Sequence, residues 1–264
     1  MKAAVAATLF ANAALASPMM DWALKELSAR HAARRSATFK SASGEEPDYT
    51  ADSSESTNWA GIAQTPGSGV TEIEATFTVP QPSIPGGGDD STSYCGAAWI
   101  GIDGYGNADL IQTGVLWCVQ GSSYEYTAWY EYLPAALVAY DGISVTAGDV
   151  INVKTTKDSS NGGTCYLTAN GQTVSNVFTA NQSSPLPGAT AEWIVEDFSS
   201  NGGLVPFANF GSVTFTDATA QINGATVNAG DGNPTNIGLE SSSGSVITST
   251  SVDGSSLTVT YTGP

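Results

Sequence analysis

Apolar and polar residues alternate along the chain from residue 58 onward, and this two-residue period predicts β-strands. Between residues 73 and 79 every second residue is apolar, and Pro80 ends the run. Asn170-Gly171 is typical of a two-residue hairpin turn between two such runs. Comparable runs occur at 97–102, 109–116, 124–132, 150–156, 164–168, 172–178, 190–198, 212–216, 245–248 and 257–261.

The composition also favours short strands joined by many turns. Only 12% of the 264 residues are charged, and 29 are glycine. About a dozen strands without intervening helices are typical of an antiparallel sandwich or barrel. Because no internal repeat or linker follows residue 58, we predict a single all-β domain over residues 54–264.

The formal net charge of −17 is unevenly distributed. Residues 1–50 contain six of the eight Lys and Arg residues and five of the 25 acids. Residues 51–264 therefore contain two lysines and 20 acids. This charge disfavours nucleic acid and anionic membranes as partners. The negative charge either simply keeps the protein soluble or indicates a protein that functions at acid pH, where protonation relieves the repulsion between carboxylates.

The N-terminus has the features of a secretory signal peptide. Lys2 precedes an apolar stretch at residues 3–13, which is too short to cross a bilayer. Ala14-Leu15-Ala16 is a typical cleavage site, so we expect a signal peptide at residues 1–16. No later run is long and apolar enough for a transmembrane helix, and the mature protein is expected to be secreted and extracellular.

Residues 17–53 differ in composition from the strands that follow. Residues 21–37 are rich in Ala, Leu, Lys, Glu and Arg, which favour helix. A basic helical segment before an acidic domain predicts a short helical propeptide as a partner of the domain, with the mature N-terminus between residues 40 and 57. Its cations would pair with carboxylates at neutral pH and separate when these protonate. An ordinary disordered leader is the alternative.

The chemistry of the mature domain is limited by the residues it lacks. The single histidine, His31, lies in the predicted propeptide, which excludes Ser-His-Asp and Cys-His catalysis and histidine-based metal sites. Three cysteines are too few for a Cys₄ site, and no phosphate-binding glycine motif opens a helix. We therefore predict no metal and no cofactor. Carboxylates, carboxamides and hydroxyls remain, and these serve acid peptidases and glycosidases.

Three predicted strands place polar groups on the same face as apolar side chains. The residues that share one face are Leu110, Gln112 and Gly114 in the first strand, Glu192, Ile194, Glu196 and Phe198 in the second, and Glu125, Trp129 and Glu131 in the third. Carboxylates among apolar residues are costly unless they face a cleft or a partner. A solvated outer sheet face explains Glu125 or Glu192 equally well.

Five sequence blocks occur in the order found in one protein family. They are Asn58-Trp59-Ala60-Gly61, Ala98-Trp99-Ile100-Gly101-Ile102-Asp103-Gly104, Leu110-Ile111-Gln112-Thr113-Gly114, Ala128-Trp129-Tyr130-Glu131-Tyr132-Leu133-Pro134 and Ala191-Glu192-Trp193-Ile194-Val195-Glu196-Asp197-Phe198. Together they resemble the glutamic peptidases, or eqolisins, pepstatin-insensitive acid endopeptidases secreted chiefly by fungi. The resemblance implies an antiparallel β-sandwich of two large seven-stranded sheets, of the concanavalin-like or jelly-roll type, with the active site on a concave face.

The resemblance also implies roles for individual residues. It assigns the catalytic glutamine to Gln112 and the catalytic glutamate to Glu196 rather than Glu192. The substrate-groove positions of the family are matched by Trp59, Trp99, Asp103 and Glu131. A place in the sandwich core is the alternative for each tryptophan, and a turn-forming role is the alternative for the aspartate.

The chain departs from the family pattern directly after Gln-Thr-Gly. The family usually has an apolar residue followed by Asp, whereas this chain has Val115 and Leu116. The missing carboxylate bears on subsite preference and on the pH profile more than on the reaction itself.

Two covalent modifications are expected in a secreted domain. Cys95 and Cys118 flank the strand that carries Gln112, so a disulfide between them is predicted, with Cys165 unpaired; pairings with Cys165 remain open. Asn181-Gln182-Ser183 is an acceptable N-glycosylation sequon in a Pro/Ser-rich loop.

Three functions compete at the level of sequence. The first is an acid endopeptidase that acts on proteins and peptides as a monomer, with Gln112 and Glu196 as the catalytic pair. The second is a β-sandwich glycosidase that uses two carboxylates, Glu131 and Glu196. The third is a noncatalytic lectin-like domain. The Gln112 block and the propeptide favour the first.

Overall fold

The structure, a computed structural model, describes residues 40–41, 53–200 and 203–264. The predicted signal peptide and the predicted helix at 21–37 lie outside these residues. The strands, in chain order, are β1 Lys40–Ser41, β2 Ser53–Ser56, β3 Trp59–Gln64, β4 Val70–Thr78, β5 Tyr94–Ile102, β6 Ile111–Gln120, β7 Ser123–Tyr132, β8 Val138–Ala139, β9 Val150–Ser159, β10 Gly162–Ala169, β11 Gln172–Phe178, β12 Ala191–Glu196, β13 Ser199–Ser200, β14 Gly203–Leu204, β15 Ser212–Ile222, β16 Ala225–Asn228, β17 Thr235–Leu239, β18 Thr248–Asp253 and β19 Ser256–Tyr261. Within the described ranges, no helix is of a length and hydropathy that could cross a membrane.

Two large sheets contain most of these strands. The nine-stranded sheet has the order β1-β2-β17-β3-β12-β5-β6-β7-β8, and the other has β11-β10-β9-β4-β15-β19-β18 with β16 paired to β15. Among the described strands, the β2–β17 pair is parallel and the other pairs of the two sheets are antiparallel. The predicted all-β sandwich is confirmed. Each sheet exceeds the seven strands implied by the resemblance because the short strands β1, β8 and β16 extend it.

The nine-stranded sheet buries apolar side chains on both of its faces. Ala98 and Ile100 of β5 belong to the same core cluster as Ile73 of β4, so this face packs against the second sheet. Ala97 and Trp99 of β5 belong to a second cluster, on the opposite face. We call this opposite face of β3, β5, β6, β7 and β12 the site face.

Sequence alternation predicted the two faces of β12 correctly, but it missed several other strands. β3 is buried along its whole length and therefore shows no alternation. The strand predicted at 245–248 is wrong for residues 245–247, where only Val246 forms an isolated bridge with Glu240. The strand begins instead at Thr248, in a Ser/Thr-rich run that pairs with β19. The hairpin at Asn170-Gly171 is confirmed, because both residues have positive φ between β10 and β11.

A disulfide joins Cys95 of β5 to Cys118 of β6, and Cys165 is free and buried. The two bonded cysteines are direct register partners in neighbouring strands, with their Cα atoms 4.1 Å apart. The predicted pairing is therefore confirmed, and the alternatives with Cys165 are not adopted.

Replacing both Cys95 and Cys118 with Ser should lower the free energy of unfolding by about 3 kcal/mol, because the bond closes a loop of some two dozen residues. Urea unfolding with and without a reductant measures this. The reductant should destabilise the wild-type protein by a similar amount and leave the double variant unchanged. A double variant as stable as the oxidised wild type contradicts the prediction.

Candidate functional site

Strand register arranges the site face in three rows that cross β3, β12, β5, β6 and β7 in that order. The first row is Ala63, Glu192, Gly101, Gln112 and Glu131; the second is Gly61, Ile194, Trp99, Gly114 and Trp129; the third is Trp59, Glu196, Ala97, Leu116 and Thr127. Neighbouring strands lie ~4.8 Å apart, so side chains within a row are close neighbours. This arrangement brings Gln112, Glu196, Trp59, Trp99 and Glu131 to one surface.

Glu196 ends β12 and is fully buried. Its Oε2 accepts a hydrogen bond of 2.7 Å from Trp99 Nε1, and its Oε1 accepts one of 3.1 Å from Asn58 Nδ2. Trp59 packs edge-on against Trp99, with ring centroids 4.9 Å apart. Both donors are neutral, and hydrogen bonds donated to a carboxylate favour its ionised form.

Gln112 is equally buried, two rows away on β6. Its Nε2 donates a hydrogen bond to Oε2 of Glu131, its register partner on β7. Its Oε1 is buried and accepts no hydrogen bond from the residues that the structure describes. A carboxamide has two N–H donors, so one donor and the oxygen remain for another molecule.

Trp99 lies in the row between Gln112 and Glu196, on the strand between theirs. The glycine of the Gln-Thr-Gly block, Gly114, makes room for it. A Cβ at Gly114 would lie 2.1 Å from the Ala98 carbonyl oxygen and 2.6 Å from Trp99 Cβ. The indole of Trp99 therefore lies between Gln112 and Glu196 and contacts Glu196. A residue larger than glycine at position 114 would clash with β5.

Asp103 belongs to a separate hydrogen-bonded group in the loop directly after β5. Its carboxylate accepts hydrogen bonds of 2.7 Å from the backbone N–H of Gly188 and of Ala189, and its φ is 67°. Tyr105, two residues on, donates its backbone N–H to Oε1 of Glu192 at 3.2 Å. These bonds fix the loop after β5 to the segment before β12, which is the geometry expected of the turn-forming alternative.

Burial dominates the electrostatics of this second group. Desolvation raises the pKa of Asp103, although the two backbone amides oppose the shift. Desolvation also raises the pKa of the fully buried Glu192 well above its ordinary value, and the nearby Asp103 adds to the effect. In acid both carboxyls therefore tend to be neutral, which reduces the cost of burying them.

Leu116, the departure from the family pattern, lies in the row of Glu196. Ala97 separates the two residues, and Leu116 is fully buried in the apolar cluster of the site face. This side of Glu196 is therefore apolar where the family pattern has a carboxylate.

The described residues contain no group of three or more His, Cys, Asp or Glu side chains that could hold a metal ion. What the site offers chemically is a buried carboxylate with two neutral donors and a buried carboxamide with an unused acceptor.

Sequence reasoning missed Asn58, although Asn58 begins one of the quoted blocks. A carboxamide directly before a strand gives no signal of its own, because its partner Glu196 is 138 residues away. Only the register of β3 against β12 brings the two residues together.

Comparison with known proteins gives a consistent result. The model of the Peptidase A4 family matches residues 57–261. Aspergillopepsin-2 of Aspergillus niger is 37% identical over 276 residues, covering 96% of each chain. Scytalidopepsin B of Scytalidium lignicola is 35% identical over 214 residues, covering 77% of each chain.

Solved structures agree with the sequence matches. A scytalido-glutamic peptidase bound to a peptide-based transition state analog is 33% identical, with a TM-score of 0.67 over 78% of this chain and 98% of that one. The aspergilloglutamic peptidase of Aspergillus niger is 43% identical, with a TM-score of 0.60 over 64% of this chain and 99% of that one. The sequence-based expectation of a glutamic peptidase is confirmed, and the chain belongs to the Peptidase A4 family.

Proposed function

We propose that the protein is a secreted acid endopeptidase that hydrolyses peptide bonds with Gln112, Glu196 and an activated water. Membership in the Peptidase A4 family supports peptide hydrolysis. The observation that carries the residue assignment is the placement of a buried, doubly hydrogen-bonded carboxylate and a buried carboxamide on one sheet face. Neither group requires a histidine.

Glu196 acts first as a general base and then as a general acid. It takes a proton from water while the water oxygen bonds to the peptide carbonyl carbon. The proton then passes to the amide nitrogen as the carbon–nitrogen bond breaks. Glu196 has to be ionised for the first step, and the neutral donors Trp99 and Asn58 favour that state.

Gln112 holds the water and stabilises the developing oxyanion. Its buried Oε1 has an acceptor to offer the water, and its second N–H has a donor to offer the oxyanion. Glu131 occupies the first N–H and so fixes which way the amide points. A carboxamide does not titrate, so acid leaves this group intact.

The substrate is a protein or peptide that lies across β5, between the strands that carry Gln112 and Glu196. We propose that Trp59, Trp99 and Glu131 contact it, because all three lie on the site face beside the two catalytic groups. Asp103 is proposed to shape the groove through the loop after β5. The glycosidase alternative is not favoured, because Glu131 is engaged with Gln112 and no observation points to a sugar or a lectin site.

Export and maturation complete the proposal. A signal peptide at 1–16 and a propeptide at 17–53, with its basic segment at 21–37, would deliver an inactive monomeric precursor to the extracellular space. The charge contrast between this basic segment and the acidic domain that follows supports release in acid. Asn181 is exposed, after β11, where a glycan would not disturb either sheet.

The activity is tested by digesting a denatured protein at acid pH, with and without pepstatin, beside a reducing-sugar assay. Protein degradation that resists pepstatin supports the proposal. Release of reducing sugar without protein degradation would overturn it.

Glu196→Gln should abolish peptide hydrolysis while the fold survives, because the shape is kept and the base is lost. Gln112→Ala should lower kcat by about 10²–10³, as for other oxyanion donors. Gln112→Glu should also fail, because a second acid competes for the proton. Glu192→Gln, on the same face of β12, is the matched control and should keep substantial activity. A folded Glu196→Gln enzyme that works at the wild-type rate would show the assignment to be wrong.

The mature N-terminus should lie after residue 40 and no later than Ser54. β2 begins at Ser53 and pairs with β17 over four positions, and Ser54 and Ser56 are buried. Cleavage beyond β2 would remove a strand of the sheet. N-terminal sequencing of active enzyme checks this, and a sequence starting at Ser17 would refute the propeptide.

Glu192→Gln should make stability less sensitive to pH. Burial raises the pKa of Glu192 in the folded state above its value of about 4.3 in the unfolded chain. The resulting contribution to the free energy of unfolding is therefore fully present below the unfolded pKa and is lost as the pH rises through the folded pKa. The variant has nothing to ionise there, so its advantage over wild type should grow from pH 4 to pH 7. Urea unfolding at both values measures this, with the partly exposed Glu240→Gln as control. An advantage that is constant with pH contradicts the prediction.

A further inference from the structure

A short chain of hydrogen bonds leads from β2 to Glu196. Ser56 Oγ donates to Asn58 Oδ1 at 3.1 Å, and Asn58 Nδ2 donates to Glu196 Oε1 at 3.1 Å. Ser56 Oγ in turn accepts the backbone N–H of Asn58 at 3.3 Å and of Trp59 at 3.1 Å. Each member of this chain is therefore held by the one before it.

The backbone around Asn58 is fixed as well as its side chain. Its carbonyl oxygen accepts the N–H of Asp197, the residue after Glu196, at 2.8 Å. Ser56 is buried at the end of β2, and β2 is held by its parallel pairing with β17. Asn58 thus contacts both the side chain of Glu196 and the backbone that follows it.

We propose that Asn58, oriented by Ser56, is a positioning residue that holds Glu196 in its ionised state and fixes the direction of the carboxylate. The inference rests on the proposed role of Glu196 as general base. A neutral N–H donor stabilises the charged form of a carboxylate relative to its acid, so Asn58 extends the working range of the base to lower pH.

The described neighbours of Glu196 on the site face are of two kinds, residues that do not titrate and other acidic groups. In register with Glu196, β3 presents Trp59 and β5 presents Ala97, neither of which titrates. Among the described residues, the titratable side chains on or against the site face include Glu192 of β12, Glu125 and Glu131 of β7, and Tyr105 in the loop after β5. Asp197 follows Glu196 but points to the opposite face by alternation. The neutral donors Trp99 and Asn58 both contact the Glu196 carboxylate, and hydrogen bonds of this kind stabilise its charged form.

The test is the pH dependence of kcat/KM for Asn58→Ala. Removing the donor disfavours the ionised form, so the acidic limb should move to higher pH by about one unit. Activity should fall about tenfold or more below the limb and recover partly above it. A merely structural role would lower activity at all pH values without moving the limb.

Further variants at the same positions sharpen the result. Asn58→Asp keeps the shape and the acceptor for Ser56 but puts a second carboxyl beside Glu196, so the limb should move further than in Asn58→Ala. Ser56→Ala should move it in the same direction by less, and Ser56→Thr, which keeps the hydroxyl, should restore it. If Asn58→Ala does not fold, the isosteric Asn58→Asp decides the question.

Asn152 provides a matched control on the second sheet. Its Nδ2 donates to Oε1 of Glu74 at 3.0 Å, so Asn152→Ala removes the same kind of bond far from the site face. This variant should leave the acidic limb in place.

Glu196→Gln in the same assay separates the proposed role of Glu196 as general base from the proposed role of Asn58. If it retains activity, the proposed function fails; if it is inactive while the limb is unmoved in Asn58→Asp and Asn58→Ala, only the role of Asn58 is overturned.

Discussion

The nine-stranded sheet has to bury both of its faces, and this constraint determines the character of the site. One face packs against the second sheet, and the other is covered by its own apolar cluster. Gln112, Glu131, Glu192 and Glu196 lie within that second layer. Two lysines follow residue 50, and one of them, Lys154, pairs with Glu72 on the second sheet. On the site face, Glu196 accepts hydrogen bonds from two neutral donors, and burial raises the pKa of Glu192.

Two solutions to this problem occur on the same strand. Glu196 receives hydrogen bonds from an indole and a carboxamide, which favour its charged form. Glu192, four residues earlier, receives one backbone N–H, and burial raises its pKa. The two glutamates therefore share burial but differ in their contacts, which suits Glu196 to the proposed role of base and Glu192 to a structural role. The large excess of acids over bases in the domain agrees with such a working range.

The sequence predicted the sandwich because the two-residue period is strong in strands such as β4, and it predicted the faces of β12 and β6 for the same reason. It missed β3, which is apolar or glycine up to its last residue, Gln64, and β18, which is polar at every position except Val252. Gln112 and Glu196 were found through short blocks that resemble a family. Asn58 and Ser56 were not, because their contact with Glu196 depends on the register of β3 against β12 and on the approach of β2. Register is set by tertiary packing and is not visible in local pattern.

The most direct test of the account is the titration of the Glu196 carboxyl itself in the free enzyme. Carboxyl ¹³C NMR of enzyme labelled at glutamate, with Glu196→Gln to assign the resonance, follows this group across the acid range. The account predicts that Glu196 titrates at the same pH as the acidic limb of kcat/KM, so that it is ionised wherever the enzyme works. A Glu196 carboxyl that stays protonated throughout the active range would contradict its role as the base that activates water.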